Sequence, residues 1–322
     1  MKTILKTLLL TVALIPGTVR AEEIILGHGA APTNPRHLAA RMFATLVDTC
    51  THGDITVSIA DSGTMGDDVE LLTSTASGVI QMTANSQGAT GQIVPEINAI
   101  GLPFLFADAP TAWRVLDGDV GAMIDEKAQA AGLKVLAFWD NGIRHVSHMS
   151  KSITTPADLV GMKIRTPPDD MTIAIFTALG ANPAPLAFAE LPTALQSGVF
   201  DGQENPLTNI YSSKIHEITK FISLTGHKYE SAPLLASLAW WSSLSPENQD
   251  CVQKSATAAM WYQRGLNLEA STALVETLKS EGVTVTEVAD KQAFIDATAS
   301  VYEQYAAQFP DLVAKLREEA AK

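Results

Sequence analysis

Basic residues are scarce in this chain: 22 lysines and arginines face 35 aspartates and glutamates, a formal net charge of −13. A field of that sign repels nucleic acid and anionic lipid, so neither is expected as a partner. Cysteine is scarcer still. Cys50 and Cys251 stand alone, too few for a disulfide-built scaffold and without the spacing or neighbouring histidine of a metal site. They could form one disulfide in an oxidising compartment or remain two buried thiols, and the sequence does not decide between these. Catalytic signatures are missing as well. No P-loop, nucleophile elbow, HExxH or CxxC motif occurs, and the seven histidines are scattered. Gly27-His28-Gly29 follows a strand as a dinucleotide loop would, but Pro32 occupies the third glycine position. No catalytic residue, metal or cofactor is expected.

Long apolar runs are also lacking. After the N-terminus nothing reaches the roughly 18 uninterrupted apolar residues of a spanning helix. The N-terminus itself reads as a secretory leader over residues 1–21. Lys2 and Lys6 precede the apolar stretch Leu8–Ile15, and Val19-Arg20-Ala21 ends it with small residues. Its removal takes away three cations and leaves the remainder more acidic. The expected location is outside the cytoplasm. An anionic ligand would then need a local positive site within a negative surface.

What the chain does contain is a globular composition, 46% apolar and 18% charged over 322 residues, enough for one large or two medium domains. Strand and helix patterns alternate through the first part: strands at 23–27, 55–60, 79–82 and 134–139, helices at 35–49, 67–72, 109–116 and 120–131. A second unit begins near Asn141, with strands at 144–148, 162–166 and 199–201 and helices at 169–179 and 208–217. A strand at 234–241 returns toward the first unit. Ser245-Pro246 then opens a helix running to about Ser280, stopped by Gly282. Helices at 291–308 and 311–320 follow. The expected fold is α/β: two lobes with a ligand cleft between them and a long bracing helix. Lobe I is assigned residues 22–142 and 231–270, lobe II residues 143–230 and 271–322.

Two segments carry the chemistry. Gly161-Met162-Lys163-Ile164-Arg165 puts an arginine at a strand end before Pro167-Pro168, and Asp201-Gly202-Gln203-Glu204-Asn205-Pro206 puts an asparagine in a Gly/Pro loop. A guanidinium matches both oxygens of a carboxylate, and an asparagine can donate and accept beside it. Arg165 could instead pair with Asp169 or Asp170. Arg144, after Gly142 at the lobe crossing, is a ligand contact or an interlobe salt bridge. His28, Glu70, Asn85 and Gln87 follow strands or open a helix, where cleft residues cluster. Their polarity leans toward a hydroxylated acid, although polar loops and a solvated helix face would look the same.

Gly161–Arg165 and Gly198–Pro206 closely resemble the substrate-binding proteins of tripartite ATP-independent periplasmic (TRAP) transporters, the DctP family. Leu102–Phe106, Asn141–Arg144 and Leu224–Tyr229 support the likeness, which covers about residues 23–310. The resemblance implies a monomeric periplasmic receptor that closes on a small organic acid and delivers it to TRAP membrane permease subunits. It assigns the main carboxylate ion pair to Arg165, assisted by Arg144 and Asn205. His148–Ser150 and Pro192 depart from the family pattern. An exported α/β enzyme acting on an organic acid, or a receptor feeding a sensor kinase, are the alternative readings. The acid itself is not legible.

Overall fold

Two strands of 16 and 17 residues organise the molecule. A computed structural model describes residues 21–322, so the expected leader lies outside the described residues except for Ala21. Its strands are β1 (Glu22–Gly27), β2 (Ile55–Ala60), β3 (Met82–Ala84), β4 (Leu133–His148), β5 (Lys163–Thr166), β6 (Asn182–Pro185), β7 (Gly202–Pro206), β8 (Phe221–Ser237) and β9 (Thr284–Glu287). They form one sheet in the order β2-β1-β3-β8-β4-β7-β5-β6, with β9 also on β8. The long antiparallel pair β4–β8 runs through both lobes. Leu234–Ala236 of β8 pairs with β3 in lobe I, while Arg144–His148 of β4 pairs with β7 in lobe II.

The expected break between strands at Asn141-Gly142 is therefore a bulge inside one strand. Register shifts fall between Asp140 and Gly142 and between Arg144 and Val146. Gly142 sits at φ +113°, and a Cβ there would approach Asn267 and Pro206 at 3.3 Å. Glycine lets β4 bend at the crossing without losing its partner strands. Other boundaries differ for the same reason, that pairing outweighs local pattern. β8 begins at Phe221, well before residue 234, and gives way to the helix Leu238–Ser243. β7 covers Gly202–Pro206 rather than 199–201, so Asn205 lies in a strand between β4 and β5 and not in a loop. β3 starts at Met82, and Val79 is exposed. The helix expected over 291–308 is broken at Thr298.

The helix Pro246–Ser280 braces the lobes as expected. Ser245 Oγ accepts from Asn248 N at 3.2 Å, capping its first turn. Val252, Ala256 and Ala259 pack with Ile24, Phe43 and Trp139 in lobe I, and Leu274 and Leu278 pack with Leu191, Leu195 and Ile222 in lobe II. Between those cores its middle grips the crossing of β4. Gln263 accepts from Asp140 N and donates to Asp140 O, both at 2.7 Å, and Asn267 donates to Asp140 Oδ2 at 2.8 Å. Cys50 and Cys251 are joined in a disulfide, Cα–Cα 5.7 Å, fastening the helix Pro35–Cys50 to the start of the long helix. No helix among the described residues is long and apolar enough to cross a membrane.

Candidate ligand-binding site

The ends of β1, β3 and β5, the middle of β4, and β7 face a cleft between the lobes. Its empty space is about 550 Å³, part of it open to solvent. Lobe I contributes Arg36, Asp68 and Ser86; lobe II contributes Arg165, Phe188 and Asn205; Asn141 and Arg144 come from the crossing strand. The cleft continues outward past Glu70 and Glu190, sharing Asp68 and Phe188 with the inner part.

Arg165 is placed by β5 and by the Pro167-Pro168 step, which prevents the strand from running on into the helix Asp170–Ala178. It is 1% exposed. Its Nε and Nη2 donate to the Leu186 carbonyl at 2.9 and 2.6 Å, and its guanidinium lies 5.7 Å from the centre of the Phe188 ring. Nη1 has no protein acceptor among the described residues, and no carboxylate pairs with the group. Asp169 instead caps its helix through Met171 N at 3.0 Å and pairs with Lys228. Burial pulls the Arg165 pKa down to about 10, only partly offset by Glu204. The cation is held in place by a carbonyl and an aromatic ring with no counter-charge in contact.

Arg144 is a contrast. It is 2% exposed. It meets Glu204 through Nε at 2.5 Å and Nη2 at 2.6 Å, and its Nη1 pairs with Glu230. Nη2 also donates to the Glu204 carbonyl at 2.8 Å and to Asn205 Oδ1 at 3.3 Å. Burial alone would lower its pKa, but the two glutamates outweigh that and hold it above the ordinary arginine value. Glu204 is correspondingly drawn down to about 2, burial being outweighed chiefly by Arg144. Arg144 thus forms part of the wall of the cleft inside an ion-pair network with Glu204 and Glu230. Asn205 lines the cleft too. Its Oδ1 accepts from Arg144 and from Asn209 Nδ2, and its Nδ2 donates to Gln203.

The remaining sequence-derived residues separate. Glu70 stands at the outer mouth, and its Oε2 accepts from Asp67 N at 2.9 Å in a capping box. His28 is wholly buried and does not line the cleft. Its Nδ1 accepts from Ala30 N at 3.1 Å and its Nε2 faces His37 Nδ1 at 3.3 Å. Burial, and then the charge of Arg36, lowers its pKa to about 3. Asn85 and Gln87 are equally buried and lie behind the wall. Asn85 Nδ2 donates to the Asp68 carbonyl at 2.7 Å, and Gln87 Oε1 accepts from Ser231 N and Oγ at 3.1 and 3.0 Å. These three position backbone rather than face the cleft. Tyr229 and Trp240 are core residues, while Phe188 does stand against the cleft.

Sequence reasoning missed Arg36, Asp68, Asn141 and Asn209. Arg36 follows the capping residue Asn34 in the helix Pro35–Cys50. It is 5% exposed, donates through Nη2 to Asn141 Oδ1 at 2.8 Å, and has no carboxylate within salt-bridge reach; burial lowers its pKa. Its placement held one clue, because a cation in a first helical turn opposes the helix dipole and needs another reason to be there. Two buried guanidinium groups, Arg36 from lobe I and Arg165 from lobe II, therefore face one cleft without an acid of their own. Such a pair can take up a carboxylate with charge-assisted hydrogen bonds.

The model of the bacterial extracellular solute-binding proteins of family 7 (DctP) matches residues 26–308. The chain belongs to that family. An uncharacterized protein of Sinorhizobium fredii is 48% identical over 281 residues, 87% of this chain and 52% of that protein, so the chain spans about half of that relative's length. The 2,3-diketo-L-gulonate-binding periplasmic protein YiaO of Escherichia coli is 36% identical over 280 residues, covering 87% and 85% of the two chains. Among solved structures, a TRAP periplasmic solute-binding protein of Roseobacter denitrificans with bound β-D-glucuronate superposes with a TM-score of 0.89. It is 32% identical, and the match covers 92% of this chain and 99% of that one. The solute-binding protein described above thus shares its two-lobe α/β architecture with a ligand-bound relative. Members of the family are substrate-binding transport proteins rather than enzymes.

Proposed function

We propose that this solute-binding protein captures a sugar acid in the periplasm and hands it to a TRAP permease, without catalysing a reaction. The observation that carries this reading is the pair of buried guanidinium groups lacking acidic partners, Arg36 and Arg165, on opposite sides of one cleft. A ligand carboxylate on the free Nη1 edge of Arg165 supplies the missing counter-charge, and Arg144 and Asn205 fix the wall against which it rests. The relatives' ligands, 2,3-diketo-L-gulonate and β-D-glucuronate, both combine a carboxylate with a polar chain or ring. The lobes divide as residues 22–142 with 231–270 and 143–230 with 271–322, which the register shifts around Gly142 and Glu230 support. The leader is residues 1–21, and the mature protein works as a monomer whose acidic surface does not engage nucleic acid.

A thermal-shift screen of organic acids beside neutral sugars tests the reading, since a ligand bound only by the folded state raises its melting temperature. D-Glucuronate and related acids are expected to raise it and methyl glucoside to leave it unchanged. An equal shift from the neutral sugar would overturn the carboxylate claim.

A further inference from the structure

The inner cleft is not uniformly cationic. Asp68, at the start of the helix Asp68–Ala76, lines both its inner and outer parts. Asp68 Oδ2 accepts from Ser86 Oγ at 2.7 Å and Ser86 N at 3.3 Å, which fixes the carboxylate. Its Oδ1 has no donor among the described residues, and a Cβ added at Gly29 would lie 3.0 Å from it. The neighbouring Asp67 also lines the cleft; its Oδ1 caps the helix by accepting from Val69 N and Glu70 N, both at 2.9 Å. Asp68, held in place by Ser86, therefore offers its Oδ1 in the cleft that Arg36 and Arg165 also line.

We propose that Asp68 is a specificity-determining residue: its free Oδ1 accepts a ligand hydroxyl and repels a second carboxylate, so the cleft takes polyhydroxylated monoacids and refuses dicarboxylates. The proposal rests on the carboxylate-receptor reading above. One ligand carboxylate matches Arg165. A second would have to lie near Asp68 and the anionic mouth formed by Glu70 and Glu190, where like charges disfavour it. A hydroxyl in the same place donates to Oδ1 and can accept from Arg36. A site that offers a polar atom for a hydroxyl also discriminates strongly against ligands lacking one.

The test is calorimetric titration of wild type, Asp68→Asn and Ser86→Ala with D-glucuronate, hexanoate and succinate, with circular dichroism and melting temperature as folding checks. Wild type is expected to bind D-glucuronate well above the other two. Asp68→Asn keeps the shape but turns a donor toward the cleft. It should weaken D-glucuronate roughly ten- to a hundredfold and strengthen succinate. Ser86→Ala, which only loosens Asp68, should lose less D-glucuronate affinity and gain none for succinate. Unchanged selectivity in Asp68→Asn, or an equal loss for every acid, overturns the assignment. Should that variant not fold, the wild-type ratio decides: equal affinity for D-glucuronate and succinate overturns this inference while leaving the carboxylate reading intact. Wild type binding none of the three overturns both.

Discussion

Arg144 in the middle of β4 and Arg165 at the end of β5 line the same cleft and are almost equally buried, at 2% and 1% exposure. Their surroundings differ. Arg144 is enclosed by Glu204 and Glu230 and has a raised pKa, whereas Arg165 has a carbonyl and a phenyl ring and a lowered one. One cation is paired within the protein; the other has no carboxylate partner among the described residues, and the proposed ligand carboxylate would supply it. Burial and position do not separate the two arginines, whereas an inventory of their acceptors does.

The largest effect that would break this comparison is on stability. Arg144→Met removes the cation that joins Glu204 and Glu230. Among the described residues it leaves Glu204 only His227 at 3.2 Å and Glu230 only Lys228 at 3.9 Å as basic neighbours. Loss of one member of such a buried network costs about 3–5 kcal/mol. Arg165→Met removes a cation with no acid to orphan, so denaturant unfolding should show a change of no more than about 1 kcal/mol. Equal losses in the two variants would erase the distinction drawn between the two arginines. Acid titration sharpens it further. Glu204 falls from 4.5 to about 2 on folding, so its contribution is present above pH 4.5 and is lost as pH falls toward 2. His28 is lowered from 6.5 to about 3, so the unfolded chain binds more protons in that window and stability falls with pH there too. The melting temperature should therefore drop progressively from about pH 6.5 downward. A His28→Gln variant that folds should lose part of that slope, the rest coming from His145, His148 and His227, whose pKa values burial also lowers. A wild-type melting temperature that is flat between pH 6.5 and pH 3 would contradict both assignments. The smallest effect concerns the mouth. Glu70→Gln should cost about 1 kcal/mol or less through its capping box and leave acid affinity within about twofold. A larger affinity loss would make Glu70 a ligand contact after all.

Much of the scaffold was legible because its signals are local. Ser245-Pro246 and Gly282 bracket the long helix, and alternation over Ile55–Ala60 gives β2 with its observed bounds. The long strands were not, since Asn141-Gly142 in β4 and Gly226 and Pro233 in β8 look like breaks until each strand is seen to be held by its neighbours. The same division runs through the site. Arg165, Arg144 and Asn205, which line the cleft, were singled out chiefly through the family likeness. Arg36 and Asp68 look like ordinary first-turn residues of two helices, and only the fold brings them to the cleft. His28, Asn85 and Gln87 carry the right polarity, but long-range partners hold them out of the cleft: His37, Asp68 and Ser231 respectively.

The most direct test of the central claim is calorimetric titration of Arg165→Met beside wild type with D-glucuronate. Loss of a desolvated charge partner costs about 2–5 kcal/mol of binding, so affinity should fall by roughly thirtyfold or more while the melting temperature of the free protein barely moves. Wild-type affinity in Arg165→Met would contradict the account.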